Sequence, residues 1–181
     1  MAILPLNGSL SYFSIKTPIG RLILTRDKGE AVLAGGMFPT HLAVEHLRDG
    51  EVIAQYDLGS GVVTDVGVAL MAADWNAATP TLKLINYHDS GTGTTAATVS
   101  DTALSVPSGL ARVVGAQGNS GNVYSSSAVI TYTSSLSIAE WGLFTAPTGG
   151  TLWDRRSFTP ISVKTNEQLA WSYTLSLLSG G

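Results

Sequence analysis

The sequence predicts an all-β fold: an antiparallel β-sandwich or jelly-roll-like domain with one short helix and an extended N-terminal arm. Three observations carry this. Apolar residues in the C-terminal third recur at period two, as they do when successive side chains point to opposite faces of a strand. Those runs are rich in β-branched and aromatic residues, which fit a pleated, half-buried surface. Clusters of Gly, Pro, Asn and Asp punctuate them at hairpin spacing.

The clearest strand is "LAWSYTLSLL", which puts Leu169, Trp171, Tyr173, Leu175 and Leu177 on one face and Ala170, Ser172, Thr174 and Ser176 on the other. In "NVYSSSAVITYT", Tyr124, Ser126, Ala128, Ile130 and Tyr132 share a face in the same way. "LSIAEWGLF" begins with Leu136 and Ile138 on one face, then switches to Ala139, Trp141 and Leu143. A phase slip beside Gly142 predicts a β-bulge, where an extra residue turns the strand. "APTGG" has turn chemistry, "TLWDRRSF" and "ISVK" read as a strand broken at Pro160, and "KTNEQ" is a polar connection. Four or five short strands at this spacing point to a sandwich or barrel.

Upstream, "VTDVGVALMAADWN" breaks period two and predicts a short helix capped by Asp65, with Val66, Leu70 and Ala73 on one side. "TLKLINYH" is a further strand, "DSGTGTTAATVSDTAL" a long polar loop and "GAQGNSGN" a loop tip. For "HLAVEHLRDGEVIAQYDL", a helix from Thr40 to Leu47 competes with a hairpin turning at Asp49-Gly50. The hairpin fits better, because Asp-Gly supplies the positive φ of tight turns. Residues 1–60 read as the arm and hairpin region, and 61–181 as the sandwich domain. Part of the stretch from Met1 to Pro39 is expected to be extended chain that pairs with a neighbour, with Ile3, Leu4, Leu6, Tyr12 and Phe13 as its contacts, since unpaired sheet edges accept such chains.

Composition limits the chemistry. Only 13% of the 181 residues are charged, against roughly a quarter in ordinary soluble domains. Much of the surface is therefore expected to be covered by partners. The net charge of −3 comes with no basic run, which argues against nucleic acid. There are no cysteines, so disulfides and thiolate chemistry are excluded. The start, "MAILPLNGSLSYFSIK", has no basic segment followed by a long apolar run, so no secretory signal is expected. No apolar run approaches the roughly 20 residues of a membrane span.

Candidate sites are few. "GTGTT" is similar to a phosphate loop but lacks the Gly-Lys-Ser/Thr that supplies a lysine and a magnesium ligand. His88, Asp89 and Ser90 are triad residue types, yet adjacent side chains diverge and do not form a relay. His41 and His46 are five apart, against the four of a helical metal pair. No cofactor, metal or catalytic residue is expected.

The densest constellation is "IAEWGLFTAPTGGTLWDRRSF", Ile138 to Phe158, which sets Glu140, Asp154, Arg155 and Arg156 beside Trp141 and Trp153. Across a hairpin, Glu140 can face an arginine, and an arginine can stack on Trp141 or Trp153 while forking onto a carboxylate. A glycosidase would need two carboxylates across an open cleft. Two arginines would instead depress both carboxyl pKa values, which is wrong for a general acid. Structural bracing by Glu140, Trp141, Trp153, Asp154, Arg155, Arg156 and Trp171 is the expected role.

From residue 61 onward the chain resembles a family of tailed-bacteriophage virion proteins. The residues that carry the resemblance are "VVTDVGV", "LINYHDSGTGTTAATVSDTAL", "GNVYSSSAVITYTSSLSIAEWGLF", "GTLWDRRSFTPISV" and "LAWSYTLSL", in that order. The resemblance implies a non-enzymatic, β-rich structural protein of the virion, assembled in the host bacterial cytoplasm as a homotrimer. It would be a capsid decoration, or cement, protein whose partners are the major capsid protein, other virion proteins and itself, with neither nucleic acid nor membrane involved. The alternatives are a tail-fibre, collar or baseplate adaptor, and a receptor- or carbohydrate-binding module.

Overall fold

The computed structural model describes residues 12–17, 20–27, 30–33 and 38–178, the first three segments as backbone only. The chain divides into two compact units, Met1–Met37 and Phe38–Gly181. The hairpin read into the N-terminal region therefore belongs to the larger unit, and the division falls at 37/38 rather than 60/61.

In the first unit, β1 (Tyr12–Thr17), β2 (Gly20–Asp27) and β3 (Glu30–Leu33) form an antiparallel meander in the order β1-β2-β3. The pairs Thr17–Gly20 and Asp27–Glu30 close it at hairpin spacing. From Tyr12 onward this corrects the extended arm: the chain pairs with itself, Tyr12 opposite Thr25 and Phe13 opposite Leu24. Local hairpins offer each strand a partner with little loop-closure cost. Ile3, Leu4 and Leu6 lie outside the described residues, as do the side chains of Tyr12 and Phe13.

The second unit is a two-sheet antiparallel sandwich. One sheet has the order β5-β4-β13-β10-β9, from β4 (Thr40–Arg48), β5 (Glu51–Gly59), β9 (Ala116–Ser120), β10 (Val123–Thr131) and β13 (Gln168–Ser176). The other has the order β6-β12-β11-β7-β8, from β6 (Val62–Val63), β7 (Tyr87–Gly91), β8 (Val113–Val114), β11 (Leu136–Phe144) and β12 (Leu152–Val163). The expected all-β sandwich is what forms.

The core lies between the sheets. Leu42, Val44, Ile130, Leu169, Trp171 and Tyr173 from one meet Ile138, Trp141, Leu143, Trp153, Ile161 and Val163 from the other. Trp141 stacks on Tyr173 at 5.4 Å and lies 6.3 Å from Trp171. Strands β10 and β13 follow their sequence periodicity, with Ser126, Ala128, Ile130, Leu169, Trp171, Tyr173 and Leu175 buried. Leu177 falls beyond β13 and is exposed. The β4–β5 hairpin turns at Asp49 (φ 54°) and Gly50 (φ 84°), the double positive φ of a type I′ turn.

Several sequence expectations shift. The register slip anticipated beside Gly142 divides into two that flank it, between Ile138 and Glu140 and between Leu143 and Phe144. The first leaves Phe158, Thr159 and Pro160 of β12 facing Ala139 alone, so Pro160, which has no N–H, sits where no ladder bond is demanded. Strand β12 thus runs through Pro160 instead of breaking there.

The helix, α1 (Asp65–Asp74), is capped by Thr64, whose hydroxyl accepts from the Gly67 amide (3.1 Å) and donates to the Leu152 carbonyl (2.5 Å). Its inner face is Gly67, Leu70, Met71 and Asp74, while Val66 is exposed. A Cβ on Gly67 would lie 3.0 Å from the Trp153 carbonyl, so glycine is what lets the helix approach β12.

"TLKLINYH" divides into a short 3₁₀ turn, Leu82–Leu84, and the start of β7. The Asp74 carboxylate holds that turn by accepting from the Thr81 and Leu82 amides. "HDSG" is a buried central strand rather than a loop, and most of "GAQGNSGN" is the edge strand β9.

Candidate functional site

The constellation read from the sequence separates onto the two faces of one sheet. In the β11–β12 ladder Gly142 faces Arg155 and Glu140 faces Ser157, so Glu140 and Arg155 are diagonal neighbours on one face. Asp154 faces the core residue Leu143 and points the other way. The two carboxylates therefore do not form a pair across a cleft.

Glu140 is fully buried and fully partnered. Its Oε2 accepts from Arg155 Nε (2.9 Å), Arg155 Nη2 (2.6 Å) and the Ser105 amide (2.9 Å). Its Oε1 accepts from the Gly93 (3.1 Å) and Val106 (2.6 Å) amides. Arg155 spends its remaining donors on Asp101 Oδ2 (2.7 Å) and on the Thr95 and Ala96 carbonyls. Asp101 is held below the usual carboxylate range: burial pushes it up, but the Thr98 amide and Arg155 outweigh that.

One ion pair thus anchors both limbs of the polar loop that follows β7. A Cβ on Gly93 would sit 2.4 Å from Glu140 Oε1, so the glycine of "GTGTT" serves this close approach. Cross-strand pairing of Glu140 with an arginine is legible in the sequence; the loop amides that the carboxylate also holds are not.

A second brace lies nearby. Arg112 donates to Asp89 (3.1 Å) and to the Ala146 and Gly149 carbonyls, and its guanidinium lies 3.4 Å over the Phe144 ring. This corrects the expected arginine stack on Trp141 or Trp153: among the described residues the stack is Arg112 on Phe144. Burial raises the Asp89 pKa against the Arg112 attraction.

His88, Asp89 and Ser90 diverge. His88 Nδ1 accepts from Trp141 Nε1 (3.3 Å), which leaves the ring proton on Nε2 to reach Ser126 Oγ (2.8 Å). Burial lowers its pKa to about 3. Ser90 accepts from the Tyr132 hydroxyl (3.0 Å).

Glu167, in the polar β12–β13 connection, accepts from His46 (2.7 Å), Arg48 (2.6 Å) and the Lys164 amide (2.9 Å), and its pKa falls to about 2, chiefly through that amide. It ties the connection to β4. His41 pairs instead with Asp57 (2.9 Å).

Asp154 departs from expectation. The two adjacent arginines do not depress it: burial raises its pKa to about 7, against smaller opposing effects of Thr40, Tyr173, the Val62 amide and Arg156. Among the described residues neither oxygen has a donor at hydrogen-bonding geometry, and Arg156 Nε is likewise buried without a partner. Arg156 therefore stands outside the Glu140 network. Trp141, Trp153 and Trp171 are core residues.

The outer face of the other sheet is chemically plain. Strands β9, β10 and β13 carry no Asp, Glu, Lys, Arg or His at all. Across the ladders, Ser127, Ser172, Ala43 and Asp57 form one row, and Val129, Ala170, Glu45 and Gln55 the next. A shallow groove of about 730 Å³ lies on this face over Ala43, Ser127, Ala170 and Ser172, walled by His41 and Asp57. Trp75, at the end of α1, is 80% exposed. No grouping of three or more potential metal ligands occurs among the described residues.

No family model matches this chain, and neither the curated proteins nor the solved structures provide a match.

Proposed function

We propose that this chain is a structural protein of a bacteriophage virion: a capsid decoration protein that binds the head shell as a trimer and works by adhesion. The observation that carries the reading is the charge-free outer face of β9, β10 and β13. Solvated sheet faces and edges are ordinarily protected by charge, lysine above all. Here serine, threonine, alanine and valine lie where such charges would be, with Val129 46% exposed.

At about 4.8 Å between strands and about 3.4 Å per residue, the uncharged face of β9, β10 and β13 spreads over roughly 400 Å² in projection, and the whole five-stranded face, with the charged β4 and β5 as its margin, over roughly 700 Å². A standard interface, with roughly 800 Å² per partner, would therefore set the uncharged strands at its centre and β4 and β5 at its rim. The ionisable groups of the Glu140 and Asp89 clusters are meanwhile engaged in holding loops. The resemblance to virion proteins adds the setting.

Copy number in purified particles tests the proposal. A decoration protein gives many copies spread over the shell in quantitative mass spectrometry and particle imaging. A handful at one vertex or the tail tip makes it a fibre, collar or baseplate adaptor. Absence from particles rejects both. A receptor- or carbohydrate-binding module is favoured by one observation, the exposed Trp75 indole, since such rings stack on sugars. Glycan binding lost on Trp75→Ala would establish that reading instead.

A further inference from the structure

Asp154 is one of the most completely buried side chains of the sandwich, and among the described residues neither of its oxygens has a donor at hydrogen-bonding geometry. The groups around it come from every neighbouring element. Tyr173 approaches from β13, its hydroxyl accepting from Trp153 Nε1 (2.9 Å), which leaves its own proton for Asp154. Thr40 approaches from β4, Leu143 faces it from β11, and Arg156 lies two residues along β12.

The remaining side is closed by the link from β5 to β6. A Cβ on Gly61 would lie 2.0 Å from Asp154 Oδ1, so only the absence of a side chain lets the link lie down on the carboxyl. The link is lightly held. Gly59 takes a positive φ of 67°, the Gly61 amide reaches Thr40 Oγ1 (3.1 Å), and β6 is two residues pairing Val63 with Asp154 and Val62 with Arg155.

We propose that Gly59–Val63 is a pH-sensitive strap: it seals over a protonated Asp154 and opens as that carboxyl ionises and demands water. A buried carboxylate with no donor at full hydrogen-bonding geometry is among the costliest groups a core can hold, and the nearby Thr40, Tyr173 and Val62 donors offset only part of that cost, so hydrating it requires moving whatever covers it. The segment that covers it carries two glycines, Gly59 and Gly61, and a ladder only two residues long.

Opening has a structural consequence. Beyond Arg155, β11 is the sole ladder partner of β12 among the described residues, and β6 covers the Asp154–Arg155 end of its free edge. Releasing β6 uncovers that end, which is then open to an extended segment of another chain. The device goes beyond the virion reading and stands or falls without it.

The sign follows from proton linkage. The closed form holds the Asp154 proton up to about pH 7, whereas a hydrated aspartate loses it near its ordinary 3.8. The open-to-closed ratio therefore rises about tenfold per pH unit between those values and levels off above the upper one.

Amide exchange at Val62, Val63 and Thr64, corrected for intrinsic rates, tests this in the wild type and in Asp154→Asn between about pH 5 and about pH 8. Protection in the wild type should fall about tenfold per unit up to neutrality and then flatten, while the variant stays flat. Constant protection in the wild type, or the same fall in Asp154→Asn, overturns the proposal. Should the variant not fold, the wild type decides alone: loss of Val62 and Val63 protection that tracks the titration of the Asp154 carboxyl carbon upholds the strap, and a carboxyl midpoint below about pH 5, or protection that ignores the titration, ends it.

Discussion

Arg155 lays two donors on a single oxygen of Glu140, at 2.6 and 2.9 Å, and both side chains are out of contact with water. Such a pair contributes less net stability than its geometry suggests, because desolvating both ions opposes their attraction. Breaking it is a different matter, because the partner left behind keeps its burial and loses its compensation. Glu140 also holds three backbone amides, at Gly93, Ser105 and Val106, so its loss would release both limbs of the loop.

Glu140→Gln should destabilise the protein by about 3–5 kcal/mol in chemical denaturation, and exchange at the Gly93, Ser105 and Val106 amides should accelerate before global unfolding. The double variant Glu140→Leu/Arg155→Met should lose less than the sum of the two single changes. Additive losses would mean that the pair is not coupled.

Gly115 passes the chain from β8 to β9, between the two sheets. A Cβ there would lie 2.5 Å from Ser126 Oγ and 2.7 Å from His88 Nε2, two atoms that bond each other. Gly115→Ala should therefore cost about 1–3 kcal/mol through overpacking, with the His88 imidazole signals shifted. An unchanged denaturation midpoint would contradict the close packing.

His88 should stay neutral through mildly acidic pH. Its folded pKa, lowered to about 3 by burial, lies below the ordinary 6.5. Its contribution is thus complete above the ordinary value and is lost as pH falls toward the folded one, by about 1.4 kcal/mol per unit. Asp154 acts with the opposite sign over much of the same range, since its folded pKa of about 7 lies above 3.8. The wild type should show a flattened stability profile in which the two slopes offset. Asp154→Asn should unmask acid lability. Imidazole nitrogen shifts showing a charged His88 at about pH 5 would refute the assignment.

Legibility in the sequence depended on how each strand is buried. Strands β10 and β13 have one wet face, so their alternation printed directly into "VYSSSAVIT" and "QLAWSYTLS". Strand β11 is covered on both faces from Ile138 to Phe144, and a doubly buried strand has no polar phase to read, so its slip was placed imperfectly. Strand β7 was hidden because its core positions are polar. His88, Asp89 and Ser90 are satisfied by Ser126, Arg112 and Tyr132, all distant in sequence. Cross-strand logic reached Glu140 and an arginine, because opposite charges on paired strands are local information once the hairpin is drawn. It did not reach the loop amides that complete the carboxylate's shell, nor did it separate Asp154 from Arg155. Adjacent residues of a strand face opposite ways, and which of the two faces inward is set by the register against β11.

The central claim is that this chain adheres through the uncharged outer face of β9, β10 and β13. The most direct measurement is binding of the purified protein to capsids prepared without it, comparing the wild type with Ser127→Arg/Ser172→Arg, whose exposed positions sit on neighbouring strands of that face. The account predicts saturable binding by the wild type and its loss in the variant at an unchanged unfolding midpoint. Wild-type binding no better than that of albumin, or equal binding by the charged variant, would contradict it.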